Sequence, residues 1–289
     1  MNFNKETNIL IIGLGVIGGS YAMALTEKGY KVSCITLEQK DIDYALERGM
    51  ICYGTTEASP ALIASSDLIV FAVYPHVFVE WIEKNQHLFR PGTLITDVTG
   101  VKGNVVKKIQ SILRDDVEFI AAHPMAGRER SGVEFSDSNV FRGANYIVTP
   151  TEKNTAESVE ACKELGRVLG FARVSELSVE KHDEMIAFLS QLTHCIAVAL
   201  MTCNDTPDLE QYTGDSFRDL TRIAKINDEM WSELFLENKD ALLKEMDGFI
   251  EGFCTLRAML ESGDREGMRA LMRESTARRS LFDKPVDNK

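Results

Sequence analysis

Residues 119–132 read FIAAHPMAGRERSG. A run of small apolar residues ends at His123, and Pro124 follows at once. A titratable ring at the end of a buried strand, with a rigid turn behind it, is either core filler or chemistry. Neutral imidazole, with an ordinary pKa of about 6.5, accepts a proton near neutral pH. That is the base a hydride-transfer enzyme needs. Three other features could serve such an enzyme. They are a glycine-rich turn at Gly13, Gly15 and Gly18, a histidine (His194) in the middle of an uncharged segment, and Arg222 within the largely apolar TRIA stretch.

The turn GLGVIGGS has the spacing G-x-G-x-x-G and sits between a short apolar run, NILIIG, and a helix-like stretch. In that context the pattern reads as a dinucleotide site. Gly13 permits the tight turn, Gly15 lets a pyrophosphate approach the backbone, and Gly18 lets helix and strand pack closely. Val16 and Ile17 open the helix, whose free N–H groups and positive dipole end favour phosphate. The second strand should end in an acid for the ribose diol. Thr36 stands there instead, and the nearest acid is Glu38. Lys40 could favour a 2′-phosphate, but no arginine lies beside Thr36. NAD is therefore expected over NADP, with NADP left open.

These groups need a frame. NILIIG, KVSCIT, DLIVFAV, GTLITDV, VEFIAAH and NYIVTP are apolar runs with helical stretches between most of them. That alternation predicts an α/β fold, a Rossmann-type doubly wound parallel sheet covered on both faces. Ligands bind beyond the carboxyl ends of such strands, where Tyr74-Pro75-His76, residues 97–102 (DVTGVK) and His123-Pro124 fall. After Pro150 the pattern turns helical, with one more possible strand at FARVSEL. The expected domains are a dinucleotide-binding domain over 1–150 and a mainly helical one over 151–289.

Composition narrows the class. The chain has 289 residues and a formal charge of −12, which argues against a nucleic-acid binder. An anionic substrate would need local positive groups, because the global field repels it. Six cysteines without C-x-x-C spacing suit reduced, buried thiols in a cytoplasmic protein. The N-terminus lacks signal-peptide order. Residues 185–203 carry no formal charge, long enough for a membrane check. With no second such segment, the core of a helical domain or dimer is the expected setting. No clustered His/Asp spacing suggests a metal.

Together GLGVIGGS, DVTGVKG, AAHPMAGRERSG, LTHCIA and FRDLTRIA…MWSELFLENK resemble the prephenate dehydrogenase family, in order and over most of the chain. The resemblance implies a Rossmann domain followed by an all-α dimerisation domain. It implies a homodimer that oxidatively decarboxylates prephenate, or arogenate, with NAD(P). It makes His123 the catalytic base and Arg222 the grip on a substrate carboxylate. His194 becomes a substrate-side group, and Glu129 and Arg128 become substrate-loop positions. Trp231 either walls the pocket or belongs to the core. Arg218, one turn before Arg222, is a second contact or pairs with Asp215 or Asp219. Where many relatives carry a serine this chain has Gly100, and Thr99 is the expected substitute hydroxyl. A β-hydroxyacid dehydrogenase would share the layout but needs a lysine mid-helix, where this chain offers Lys181 only near the helix start. A nucleotide sensor would need no His123, His194 and Arg222.

Overall fold

The computed structural model describes residues 3–127 and 130–283. Its first sheet contains β1 (Asn8–Ile12), β2 (Lys31–Ile35), β3 (Tyr53–Thr55), β4 (Leu68–Phe71), β5 (Leu94–Asp97) and β6 (Glu118–Phe119). All neighbours are parallel, in the order β3-β2-β1-β4-β5-β6. This is the doubly wound order of dinucleotide-binding folds. The crossovers carry α1 (Val16–Glu27), α2 (Gln39–Glu47), α3 (Pro60–Ser65), α4 (Pro75–Asn85) and α5 (Gly103–Ile112).

The unalternating apolar runs follow from two cores. Along β1, Ile9 and Ile11 enter one core with Tyr21, Leu25 and Leu165. Leu10 and Ile12 enter the other with Phe78, Ile82 and Ile109. Successive side chains point to opposite faces, so a sheet buried on both sides needs apolar residues at every position.

The run at 117–123, expected as one strand of this sheet, is broken. β6 stops at Phe119, and β7 (Ala121–Pro124) joins a second sheet. There β7 pairs antiparallel with β8 (Asn145–Thr149), and β8 pairs parallel with β9 (Arg173–Glu176). His123 therefore rides on the second sheet, not on the rim of the first. Between β8 and β9 runs α6 (Ala156–Leu169), closed by Gly170 in the left-handed region that favours glycine. The α/β layers thus continue through α6 and β9 to Glu176.

A buried ion pair joins the two sheets. Asp97 ends β5, and its Oδ1 accepts the Ala122 N–H at 3.1 Å. Its Oδ2 accepts from Lys102 Nζ at 2.7 Å. The same amine donates to the Ala122 carbonyl at 2.6 Å and to Thr99 Oγ1 at 3.2 Å. Both charged side chains are fully buried. Both backbone groups of the residue before His123 are therefore satisfied by one carboxylate and one ammonium.

From Val179 the chain is helical. α7 (Val179–Ile186) passes through a π-helical turn at Ala187–Leu192 into α8 (Thr193–Thr202). Then come α9 (Asp215–Thr221), a 3-10 turn at Arg222–Ala224, and α10 (Asp228–Glu237). Buried amides tie this layer together. Gln191 donates to the Leu234 carbonyl at 2.7 Å, and Asn238 donates to Gln191 at 2.8 Å and to the Asp183 carbonyl at 2.9 Å. Residues up to Lys239 form one compact unit. A second unit, from Asp240, holds most of α11 (Lys239–Ser262) and all of α12 (Arg265–Arg279). Phe249, Ile250 and Phe253 are exposed on α11.

Residues 179–202 are long and apolar enough to cross a membrane by length and composition, and 28% of the apolar window is buried within the chain. Phe188, Leu189 and Met201 on it are exposed. The thiols are not all buried as expected. Cys52, Cys203 and Cys254 are exposed, because the apolar runs around the last two leave one helix face uncovered in the single chain.

Removing one partner of a buried ion pair leaves the other uncompensated, at a typical cost of about 3–5 kcal/mol. Lys102→Met should lose stability of that order in urea unfolding. A loss under about 1 kcal/mol would mean that the pair does not hold the sheets together.

Candidate active site

The glycine turn has the geometry its spacing predicts. Gly13 has φ +92, and a Cβ there would meet the Ala72 carbonyl oxygen. A Cβ on Gly18 would collide with the carbonyl of Gly13. At Gly15 nothing lies within 4 Å of an added Cβ, and φ is −84. Steric need in the chain itself explains Gly13 and Gly18 but not Gly15, whose open face lies at the N-terminus of α1. Val16 and Ile17 form the first helical turn there. This cradle fits a dinucleotide pyrophosphate.

Thr36 follows β2, and its Oγ1 accepts the Leu14 N–H at 3.3 Å. It pins the glycine turn to the second strand, a task an acid would perform less neutrally. Glu38 is exposed at the N-cap of α2 and makes no capping bond with its side chain. Tyr74 and Pro75 open α4 beyond the carboxyl end of β4. They are tethered to the helical layer: Asn227 donates to Tyr74 Oη at 3.2 Å, and Glu233 takes His76 N–H at 2.8 Å and meets His76 Nδ1 at 2.9 Å.

His123 is half-buried, and its Nδ1 lies 2.9 Å from Nε2 of His182. His182 is fully buried, and its Nδ1 lies 2.7 Å from Asp183 Oδ1. Asp183 also accepts the backbone N–H groups of Lys102 at 2.9 Å and Gly103 at 2.7 Å, at the start of α5. The sequence reading missed His182 and Asp183. They stand in SVEKHDEM, a charged stretch that reads as a solvated helix start, and tertiary packing against α5, His123 and Asn238 buries them.

Burial pushes the His123 pKa well below the ordinary imidazole value, helped by the His182 ring and the Lys102 charge. His182 is lowered as well, by burial first, with Asp183 opposing. Burial likewise lowers Lys102, against the pull of Asp97.

Thr99 does not stand as a free hydroxyl beside the base. It is buried, with its Oγ1 bonded to Asp97, to the Val101 carbonyl at 3.0 Å and to Lys102. The ion pair claims the group, and the hydroxyl expected to assist His123 bonds to Asp97, Val101 and Lys102 instead. A Cβ on Gly100 would meet Leu234 at 3.4 Å, an ordinary contact.

His194 opens α8, and its Nδ1 donates to the Ser190 carbonyl at 2.8 Å. Its ring stacks on Trp231 of α10 at 3.8 Å between centroids. Twelve α-helical residues would set His182 and His194 about 120° apart. The extra residue in the π turn reduces this to about 20°. Arg222 is exposed in its 3-10 turn, which packs against α8. Arg218 is exposed and pairs with Asp215 at 3.0 Å, the second of its two expected readings. Lys181, which a β-hydroxyacid dehydrogenase would need, is exposed and pairs with Glu184 at 3.0 Å. Arg128 and Glu129 lie outside the described residues.

A cavity of about 380 Å³ lies elsewhere, at the amino ends of β5 and β6, lined by Asp115, Asp116, Glu118 and Glu157. Its acidic wall is the wrong sign for an anionic substrate, and it is at the opposite end of the strands from His123.

A glycine turn shaped for a dinucleotide, with a partly buried imidazole held neutral, suits a nicotinamide-dependent dehydrogenase. Residues 21–174 match the family model described as the prephenate dehydrogenase nucleotide-binding domain, and residues 178–274 match its dimerization domain. A prephenate dehydrogenase of Bacillus subtilis is 32% identical, covering 93% of this chain and 74% of that protein. A cyclohexadienyl dehydrogenase of Zymomonas mobilis is 27% identical over 93% of each chain. The crystal structure of prephenate dehydrogenase from A. aeolicus with hydroxyphenyl propionate and NAD+ superposes with a TM-score of 0.88 at 32% identity, covering 96% of this chain and 98% of that one. The chain belongs to the prephenate dehydrogenase family, and it is an oxidoreductase.

Two outcomes test this geometry. Gly18→Ala should destabilise the fold by more than about 1 kcal/mol, whereas Gly15→Ala should leave urea stability unchanged and weaken NAD binding. Equal effects on stability would remove the ligand explanation for Gly15. The second concerns pH. As pH falls through about 6.5, the unfolded chain protonates both rings while the folded chain keeps them neutral. Stability should therefore decline from pH 7.5 to 5.5, and less steeply in His182→Gln. An equally steep decline in that variant would mean His182 is not held neutral.

Proposed function

We propose that the protein oxidatively decarboxylates prephenate to 4-hydroxyphenylpyruvate with NAD, as a step of tyrosine biosynthesis. The observation that carries this reading is the one-sided tethering of His123. Its Nδ1 is engaged by a buried histidine, and the residue itself is only partly buried. Prephenate is a cyclohexadienol with a 4-hydroxyl, a ring carboxylate and a pyruvyl side chain. His123 takes the hydroxyl proton as the carbinol hydrogen leaves as hydride. Gly13, Gly15, Val16, Ile17 and Gly18, with Thr36, Glu38, Tyr74 and Pro75, would hold NAD, which would serve as the hydride acceptor. The ring carboxylate then departs as CO2, and aromatisation drives the reaction.

Arg222 holds a substrate carboxylate through its planar fork. His194, backed by Trp231, faces the substrate from α8, and Arg128 and Glu129 are assigned to the substrate by their place in the sequence after His123. Arg218 supports the region through its pair with Asp215. Arg222 and Arg128 supply the local positive charge that a chain of net −12 needs for a dianion.

The protein is read as a cytoplasmic homodimer. Exposed Phe188, Leu189 and Met201 on the apolar helix, and Phe249, Ile250 and Phe253 on α11, support burial against a second copy. The match of 178–274 to a family dimerization domain supports it too.

The assay follows reduced nicotinamide absorbance with prephenate or arogenate and either NAD or NADP. Turnover of prephenate with NAD is expected, and the arogenate and NADP arms read the side-chain and cofactor preferences. His123→Asn should lower kcat by about 10² or more with NAD binding retained. Arg222→Ala should mainly raise KM. A fully active His123→Asn enzyme would end the assignment of the base. Sedimentation should give about twice the 32.3 kDa chain mass; a monomer at working concentration would remove the dimer.

A further inference from the structure

The proton positions around His123 can be worked out from the far end of its chain of hydrogen bonds. Asp183 receives a backbone N–H on each oxygen, from Lys102 and from Gly103. It can only accept from the ring beside it, so His182 carries its proton on Nδ1. A neutral His182 then presents a lone pair at Nε2. His123 Nδ1, 2.9 Å away, must be the donor of that bond. The lone pair of a neutral His123 is left on Nε2.

We propose that His182, fixed by Asp183, is a positioning residue that holds His123 in the tautomer with its basic lone pair on Nε2. The inference rests on the reading of His123 as the base. His182 touches no substrate atom and acts through the ring it orients. The arrangement resembles the general logic in which a carboxylate sets the tautomer of a catalytic histidine. Here a second imidazole is interposed. That spacer has a physical reason: Asp183 is committed to the start of α5 and reaches the base only through one more ring. The competing state is a doubly protonated His182, which would donate to His123 Nδ1 and force the proton onto Nε2. Complete burial of His182 and the Lys102 ammonium oppose that state.

Glutamine and leucine at position 182 separate this role from simple packing. Glutamine places an amide oxygen near the position of Nε2 and keeps an acceptor for His123 without basicity. Leucine keeps apolar bulk and removes the acceptor. His182→Leu should lower kcat by about 10²-fold or more, within the up to about 10⁴-fold that a wrong tautomer costs a triad enzyme. KM and NAD affinity should change less than about twofold. His182→Gln should recover kcat to within about tenfold of the native enzyme. Nitrogen-15 NMR of histidine-labelled protein, with the His123 signals assigned by their loss in His123→Asn, should show the proton on Nδ1 in the native chain.

A His182→Leu enzyme within about threefold of native kcat overturns the proposal. So does a folded glutamine variant no better than the leucine one, or a native His123 protonated on Nε2. If the leucine variant fails to fold, the native spectrum and the glutamine variant decide, a glutamine loss beyond about 10²-fold counting against. The spectrum also separates this inference from the assigned reaction. A chain with His123 protonated on Nδ1 that turns over neither prephenate nor arogenate would remove the substrate and leave the tautomer standing.

Discussion

The ion pair between Asp97 and Lys102 is the constraint on which the site depends. Both side chains are fully buried, so each must be matched or the layer would not form. Their remaining hydrogen-bonding capacity is spent on both backbone groups of Ala122 and on the Thr99 hydroxyl. A parallel sheet ends where its ladder ends. Here the ladder between β5 and β6 ends at Phe119, and side-chain charge takes over the pairing for the next residues. The strand that carries His123 can leave the first sheet without leaving its register to chance.

From that junction the constraint passes outward. Lys102 is also the N-cap of α5, and its backbone N–H, with that of Gly103, fixes Asp183. Asp183 in turn orients His182, and His182 meets His123. The carbonyl of Asp183 accepts from Asn238, which also bonds Gln191 in the π turn. His123 from the second sheet and the helix bearing His194 are thus positioned by one connected set of buried polar groups. Buried networks of this kind are costly when incomplete and rigid when satisfied.

Much of the architecture was legible because a doubly covered sheet leaves an unmistakable record of continuous apolar runs between helical stretches. The glycine turn was legible too, since Gly13 and Gly18 answer to steric limits that hold in any chain. The break between β6 and β7 was not, because residues 119–122, FIAA, have no polar residue or glycine to mark where one sheet yields to the other. Thr99 was expected beside the base. Its neighbours Asp97 and Lys102 looked like ligand-side groups at a strand end, and nothing local says that they turn inward. His182 was hidden for the opposite reason. Its charged neighbours suggest water, and its burial comes in part from a helix some 80 residues earlier in the chain. Tertiary pairing, not local pattern, decided both.

The π turn between α7 and α8 makes residue count itself a functional quantity. Loss of one amino acid from that turn would restore an ordinary helix and preserve its oily surface. It would also swing the C-terminal imidazole about 100° around the axis. Two homologues differing by such a deletion could be aligned histidine to histidine and still present those rings to different surroundings. Indels here therefore carry information that substitution patterns alone would miss.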